Sequence, residues 1–123
     1  MPMVKVLHRS PAVGWMTANL LGINLPQIVA DALTSNDPEG ELAASDIEVE
    51  VVAMDPGLRT RYDLHIEVEA NDYPERRRDL ERRAHWIARE IRVFFNQVDT
   101  WKLPGPPKGW VWVKLVPAHW VEL

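Results

Sequence analysis

The second residue of the chain could have unusual chemistry because of its position. The chain opens with Met1, Pro2 and Met3, and an initiator methionine is generally removed when a small residue such as proline follows it. Removal would leave Pro2 with a free secondary amine. A free α-amino group titrates near ~7.7–8.0, and burial or nearby cations lower that pKa, which gives a base that works at neutral pH. Pro2 is therefore the candidate catalytic residue, although proline also occurs at this position without any such role.

Other reactive groups are scarce. The chain has no cysteine, which excludes disulfides, thiol nucleophiles and thiolate metal sites. The four histidines are scattered, and no two of them have the i, i+4 spacing of a metal-binding pair on a helix. The sequence therefore predicts no metal site, and it contains no glycine-rich loop of the kind that binds phosphate groups.

Size and charge limit the class of protein. A chain of 123 residues suits one domain covering residues 1–123, because either half would be too small for a core of its own. The net charge of −4 argues against a nucleic-acid or anionic-membrane surface. The apolar runs are shorter than the ~20 residues that span a bilayer, and the N-terminus lacks the pattern of a signal peptide. We therefore expect a cytoplasmic protein that binds neither nucleic acid nor membranes.

Alternation of apolar and polar residues predicts four strands. The clearest case is the second, in which Val49 and Val51 point inward while Glu48 and Glu50 point outward. The predicted strands cover residues 2–8, 47–54, 62–70 and 110–116.

Helical periodicity fills the gaps between the strands. The first helix is predicted over about residues 12–35, with a break expected near Gly22 and Pro26. The second starts near Pro74. Its arginines between positions 76 and 83 alternate with acids and are predicted to form a solvated face. Residues 98–109, with three prolines, predict an irregular loop.

This order of elements predicts an α/β (α+β) fold of two consecutive β–α–β units. Right-handed crossovers would make the strands parallel within each unit and place both helices on one face of a four-stranded mixed sheet. The other face would be either solvated or buried in a symmetric oligomer. It is predicted to carry Lys5, Glu48, Glu50, His65, Glu67, Glu69, Trp110, Trp112 and Lys114.

A strand that opens with Pro2 and Met3, then a helix, then a valine-rich strand, then the same pattern again, resembles the tautomerase superfamily. That family includes 4-oxalocrotonate tautomerase, 5-carboxymethyl-2-hydroxymuconate isomerase, malonate semialdehyde decarboxylase and macrophage migration inhibitory factor. The resemblance covers nearly the whole chain as architecture, with Pro2 as its one diagnostic residue. It implies a cofactor-independent isomerase in which the N-terminal proline is general base or acid for a small enol or keto carboxylic acid. It also implies a homotrimer with sites at the subunit interfaces.

The cations that such relatives place near the proline are missing at their usual positions. Residues 47–50 contain Glu48 and Glu50 where the oxalocrotonate enzyme has an arginine, and residues 71–73 replace a Gly-Arg pair. Lys114 is the predicted substitute, because it is the only charge in an apolar, aromatic strand. A salt bridge with Glu48, Glu50 or Glu67 across an oligomer is the alternative role for Lys114.

Three further residues complete the predicted substrate-binding set. Trp112 would form an apolar wall beside Lys114, while Arg9 and His8 end the first strand and could reach the rim of a pocket or be a solvated strand end. The alternative to an enzyme is a non-enzymatic trimer that serves as a binding or structural module on the same fold. A third interpretation is a ferredoxin-like domain with antiparallel pairing and no pocket at Pro2.

Overall fold

The computed structural model describes residues 2–37, 40–98, 107–119 and 121–123. Most of the predicted loop over 98–109 therefore lies outside the described residues. No helix within these ranges has the length and apolar character needed to cross a membrane. In chain order the α-helices and strands are β1 (Met3–His8), α1 (Trp15–Leu33), β2 (Glu48–Ala53), β3 (Leu64–Asn71), α2 (Pro74–Arg78), α3 (Leu80–Val98) and β4 (Gly109–Val116).

The four strands form one mixed sheet in the order β2-β1-β3-β4. β1 runs parallel to β2 and β3 runs parallel to β4, while β1 and β3 are antiparallel. This arrangement confirms the two β–α–β units and excludes the antiparallel, ferredoxin-like alternative. It also makes β1 a central strand, whose first residue, Met3, lies between Glu48 of β2 and Glu69 of β3.

The core lies on one face of the sheet. In β3, Leu64, Ile66 and Val68 are buried, whereas Glu67 and Glu69 on the opposite face are exposed. α1 contacts β1 and β2, and α3 contacts β4, so the helices cover the buried side. The alternation of the sequence therefore predicted correctly which side chains enter the core.

The first helix is continuous, and the break expected near Gly22 and Pro26 is absent. Pro26 removes the N–H that would have bonded the carbonyl of Gly22, which usually bends or ends a helix. Packing outweighs this cost because Leu21 and Leu25 are fully buried. Gly22 contributes to the packing, since a Cβ atom there would lie 2.9 Å from Cγ2 of Val51 in β2.

The arginine cluster is only in part the solvated helix face that was predicted, because Arg77, Arg78 and Arg82 are exposed but Arg76 and Arg83 are buried. Arg76 is 1% exposed and Arg83 is 8% exposed, because both point inward under the end of α1. Arg83 donates to the carbonyls of Ala32 and Thr34, at 3.0 and 2.8 Å, and forms an ion pair with Asp79. These bonds satisfy carbonyls that a helix end leaves without intrahelical donors.

Arg76 joins three separate segments. Its Nε donates to the carbonyl of Leu33 at 2.7 Å, Nη1 to Asn71 at 3.1 Å and Nη2 to Gly40 at 3.1 Å. The guanidinium also lies 4.7 Å from the ring centroid of Tyr73. Arg76, in α2, thus ties together the end of α1, the end of β3 and the loop at Gly40 before β2.

We expect Asp79→Asn to destabilise the protein by roughly 1–3 kcal/mol at neutral pH, and by less in acid. Hydrogen bonds from Arg83, with a smaller contribution from Arg82, hold the pKa of Asp79 below its usual value. The ionised carboxylate therefore stabilises the fold above about pH 4, and this contribution is lost as the pH falls through the lower pKa of the folded state.

Urea unfolding of wild type and variant at pH 7 and pH 3 measures this difference. The control is Asp31→Asn on α1, where the exposed carboxylate accepts a hydrogen bond from Gln27, and we expect a change within about 0.5 kcal/mol. If the difference in unfolding free energy between wild type and Asp79→Asn were the same at pH 7 and pH 3, the assigned role of the ion pair would be wrong.

Candidate active site at the start of β1

Pro2 lies at the point where three strands meet. It directly precedes β1, its side chain is less than 2% exposed, and its carbonyl accepts a hydrogen bond from the N–H of Glu48 at 3.2 Å. Extending the strand register by one residue places Pro2 between Ile47 and Ala70. The backbone of Pro2 is therefore fixed by the start of β2 and the end of β3.

A cleft of about 140 Å³ opens at this end of the sheet, and it is lined by Met3 rather than by Pro2 itself. Three polar side chains face it, namely the carboxylate of Glu69, the amide of Asn71 and the imidazole of His119, and such groups can hold or move a proton. No local pattern in the sequence predicts these three residues as a site, and only the antiparallel register brings the end of β3 to the start of β1. The full lining is Met3, Glu69, Ala70, Asn71, Val116, Ala118 and His119.

Lys114 lies next to this cleft and already has a partner. The strand register puts Met3, Glu69 and Lys114 in one row across the sheet. Lys114 Nζ is 3.3 Å from Oε2 of Glu69, and both side chains are about half exposed. This cation is held within one chain by Glu69, a partner that the sequence analysis did not consider.

Trp112 lies two residues before Lys114 in β4 and on the same face of the strand. Its side chain is exposed, and Lys114 Nζ lies 6.0 Å from the centroid of its ring. Trp112 is opposite Glu67 in the register, whereas Lys114 is opposite Glu69. The structure therefore places the predicted wall beside the predicted cation, on the open face of the sheet.

His8 and Arg9 lie at the opposite end of β1, roughly 20 Å from Pro2 at about 3.3 Å per residue. His8 is 2% exposed, so it is not a solvated strand end. Arg9 is fixed by Asp63, with Nη2 3.0 Å from Oδ1, and by the carbonyl of Thr60 at 3.1 Å. Within one chain, neither residue is near Pro2.

The open face of the sheet carries alternating charges and aromatic rings. Lys5 lies between Glu50 and Glu67 in the register. His65 stacks on Trp110 with ring centroids 4.3 Å apart, and burial lowers the pKa of His65 more than the Glu67 carboxylate raises it. The predicted composition of this face is confirmed. Among the described residues, no three side chains of the metal-binding types cluster closely enough to hold a metal ion.

Comparison with known proteins rests on structure. No protein-family model matches the chain, and no curated protein matches it in sequence. Its fold is similar to that of a macrophage migration inhibitory factor-like protein from Entamoeba histolytica, with a TM-score of 0.57 at 9% identity over 94% of this chain and 89% of that chain. It is also similar to a member of the cis-3-chloroacrylic acid dehalogenase family, with a TM-score of 0.56 at 13% identity over 94% of this chain and 75% of that chain.

Both of these proteins have the fold of the tautomerase superfamily. The resemblance in architecture inferred from the β–α–β pattern is therefore confirmed as a resemblance of fold.

Proposed function

We propose that this chain is a cofactor-independent, tautomerase-like isomerase that acts through Pro2 once Met1 has been removed. The observation that carries the proposal is the position of Pro2, which is held between the start of β2 and the end of β3, at the end of the sheet where the cleft opens. The amine of Pro2 would take a proton from the oxygen or carbon of a small enol or keto carboxylic acid and return it at the other atom.

The side chains around the cleft would hold the rest of the substrate. Lys114 would bind the carboxylate by exchanging it for that of Glu69, and this exchange costs little because half-exposed ion pairs contribute at most about 1 kcal/mol. The amide of Asn71 would donate to the developing enolate oxygen. Trp112 would limit access of water from the side of the open face.

His8 and Arg9, at the far end of β1, differ in whether they can contribute to the proposed site. Arg9, which is partly exposed, would contribute to the site only from a neighbouring subunit of a homotrimer. His8 is buried on the side of the sheet that the helices cover, so we do not include it in the proposed site. The proposed protein is a cytoplasmic homotrimer.

Two measurements test the proposal together. The intact mass of the protein from its native host should be short by one methionine, and that protein should ketonise an enol such as phenylenolpyruvate or 2-hydroxymuconate. A form with an N-terminal extension left on Pro2 should be inactive, because an amide nitrogen is not a base. Turnover by the extended form would exclude Pro2 as the base.

Lys114→Met should raise the KM for a carboxylate substrate about 10- to 100-fold and change kcat little, since a hydrogen bond to a charged group contributes roughly 1.5–3 kcal/mol. Glu69→Gln should instead lower KM, because it removes the carboxylate that competes for Lys114. Lys108→Met, at an exposed residue before β4, is the matched control. Equal KM values for the Lys114 and Lys108 variants would remove Lys114 from the site.

A non-enzymatic trimeric binding or structural module is the second candidate. Two observations favour it. Pro2 is buried, and Lys114, the proposed carboxylate binder, is already paired with Glu69. A native mass that retains Met1, together with no turnover of any enol acid, would support this function over the first.

A further inference from the structure

A second cleft lies at the other end of β1, far from Pro2. Its volume is about 360 Å³, within the range of small-molecule pockets, which runs from ~300 to ~1,000 Å³. Most of its wall is apolar or aromatic, and a few polar groups interrupt it. The lining residues that matter here are His8, Arg9, Ser10, Trp15, Asp55 and Leu58.

One ring nitrogen of His8 lacks a partner. Nδ1 lies 2.9 Å from the carbonyl oxygen of Val13, and because a carbonyl only accepts, Nδ1 carries the proton and donates it. In the neutral ring, Nε2 then has a free lone pair. Nε2 is buried and has no hydrogen-bond partner in the part of the chain that the structure describes. Such an acceptor is costly to leave unpaired, so it favours a molecule that can donate a hydrogen bond to it.

Trp15 packs against His8 at the edge of the cleft. The two rings meet edge to face, with centroids 4.5 Å apart and an interplanar angle of 74°. Trp15 is the first residue of α1 and its side chain is 53% exposed. Rotation of this indole away from His8 would connect Nε2 with the cleft, since Trp15 lines the cleft as well. The rotated indole would present its face to an occupant.

The charges around the cleft disfavour an anion. Arg9 is the cation nearest to His8 in sequence, and its guanidinium is already engaged by Asp63 and by the carbonyl of Thr60. Asp55 adds a carboxylate to the lining, with Oδ1 accepting from the N–H of Gly57. The cleft therefore offers acceptors and an aromatic wall, and its one positive charge is paired.

We propose that this cleft binds a small, uncharged aromatic molecule that carries a hydroxyl donor, for which phenol is the simplest probe. The hydroxyl donates to Nε2 of His8, and the ring packs against the rotated Trp15 and against Leu58. No covalent bond is made or broken. This site is independent of Pro2 and does not rest on the proposed isomerase activity.

The test compares phenol with anisole, which has the same ring but a methyl ether in place of the hydroxyl. The full-length protein is titrated with each compound, and binding is followed by NMR through the side-chain signals of His8 and Trp15. We expect phenol to bind about tenfold more tightly, because only phenol can donate to Nε2. Equal affinities, or phenol-induced shifts that avoid both side chains, would overturn the proposal.

Two variants separate the hydrogen bond from the aromatic wall. In His8→Asn the amide can still donate to Val13 but nothing replaces Nε2, so phenol and anisole should bind equally. In Trp15→Ala both should bind more weakly while the preference for phenol remains, and this exposed position is the safer one for folding. His85→Asn, at an exposed position of α3 outside both clefts, should leave the preference unchanged. Unaltered binding of both compounds by Trp15→Ala would show that Trp15 does not form the wall.

Discussion

Replacing Pro2 with alanine should lower kcat/KM for an enol acid about 10²- to 10⁴-fold, which is the usual contribution of a general acid or base. Alanine also allows removal of Met1, so the variant still has an α-amino group. That amine is primary, and it lacks the ring that restricts the backbone of Pro2 and fixes the direction of its nitrogen. The loss therefore measures how far the reaction depends on a positioned secondary amine.

The fold should tolerate this change, which keeps the result interpretable. Pro2 lies before β1 and its carbonyl still accepts from Glu48 whatever the side chain. Circular dichroism of Pro2→Ala should therefore stay that of a folded protein, while the loss of two buried ring carbons lowers the free energy of unfolding by roughly 1–2 kcal/mol. Met16→Ala, at an exposed residue of α1, is the activity control. If Pro2→Ala turned over every tested enol at the wild-type rate, the proposed mechanism would be wrong.

The sheet could be predicted from the sequence because each strand obeys a local rule. Alternation in residues 64–71 and 48–53 predicts which side chains enter the core, and the right-handed crossover of each β–α–β unit predicts its parallel pair of strands. That α1 continues through Pro26 could not be predicted from a local rule. Whether a proline ends a helix depends on how much apolar surface the rest of the helix buries, and that is a property of the tertiary structure.

The spacing of the buried arginines in the sequence indicates that they lie on the apolar face, but the charged composition of the segment indicates a solvated one. Arg83 follows Leu80 by three residues and precedes Ile87 by four, so these three residues lie on one face of α3, and Arg76 precedes Leu80 by four residues within the separate helix α2. A cluster of arginines and acids normally indicates a solvated face. Here the same periodicity that identified the apolar stripe placed two of the arginines within it.

The candidate site was only partly predictable. Pro2 was identified from its position, and Lys114 from its isolation in an apolar strand. Glu69, Asn71 and His119 come from the end of β3 and from the segment after β4, and only the register of the sheet brings them together. The sequence contains no local pattern that joins these segments. Neighbours in sequence can also differ, since His8 is buried whereas Arg9, the next residue, is partly exposed.

Arg76→Met should destabilise the protein by about 3–5 kcal/mol, a large part of the stability of a small domain. Methionine preserves much of the apolar stem but leaves the carbonyls of Leu33, Asn71 and Gly40 without their buried donor. Arg76→Lys keeps the charge but cannot reproduce three bonds from one planar group, so its loss should be intermediate. The free energy of unfolding in urea measures both variants.

Arg78→Met is the matched control. It removes the same charge from an exposed position of the same helix, two residues after Arg76. We expect it to change the stability by no more than about 0.5 kcal/mol. Arg76 also bonds the carbonyl of Asn71, whose side chain lines the cleft at the start of β1. Loss of the hydrogen bonds made by Arg76 should therefore increase local opening around the cleft before the whole chain unfolds. The backbone amides around Asn71 should exchange hydrogen faster in Arg76→Lys than in wild type. Equal unfolding free energies for the Arg76 and Arg78 variants would show that water satisfies the three carbonyls and that the hydrogen bonds made by Arg76 contribute nothing.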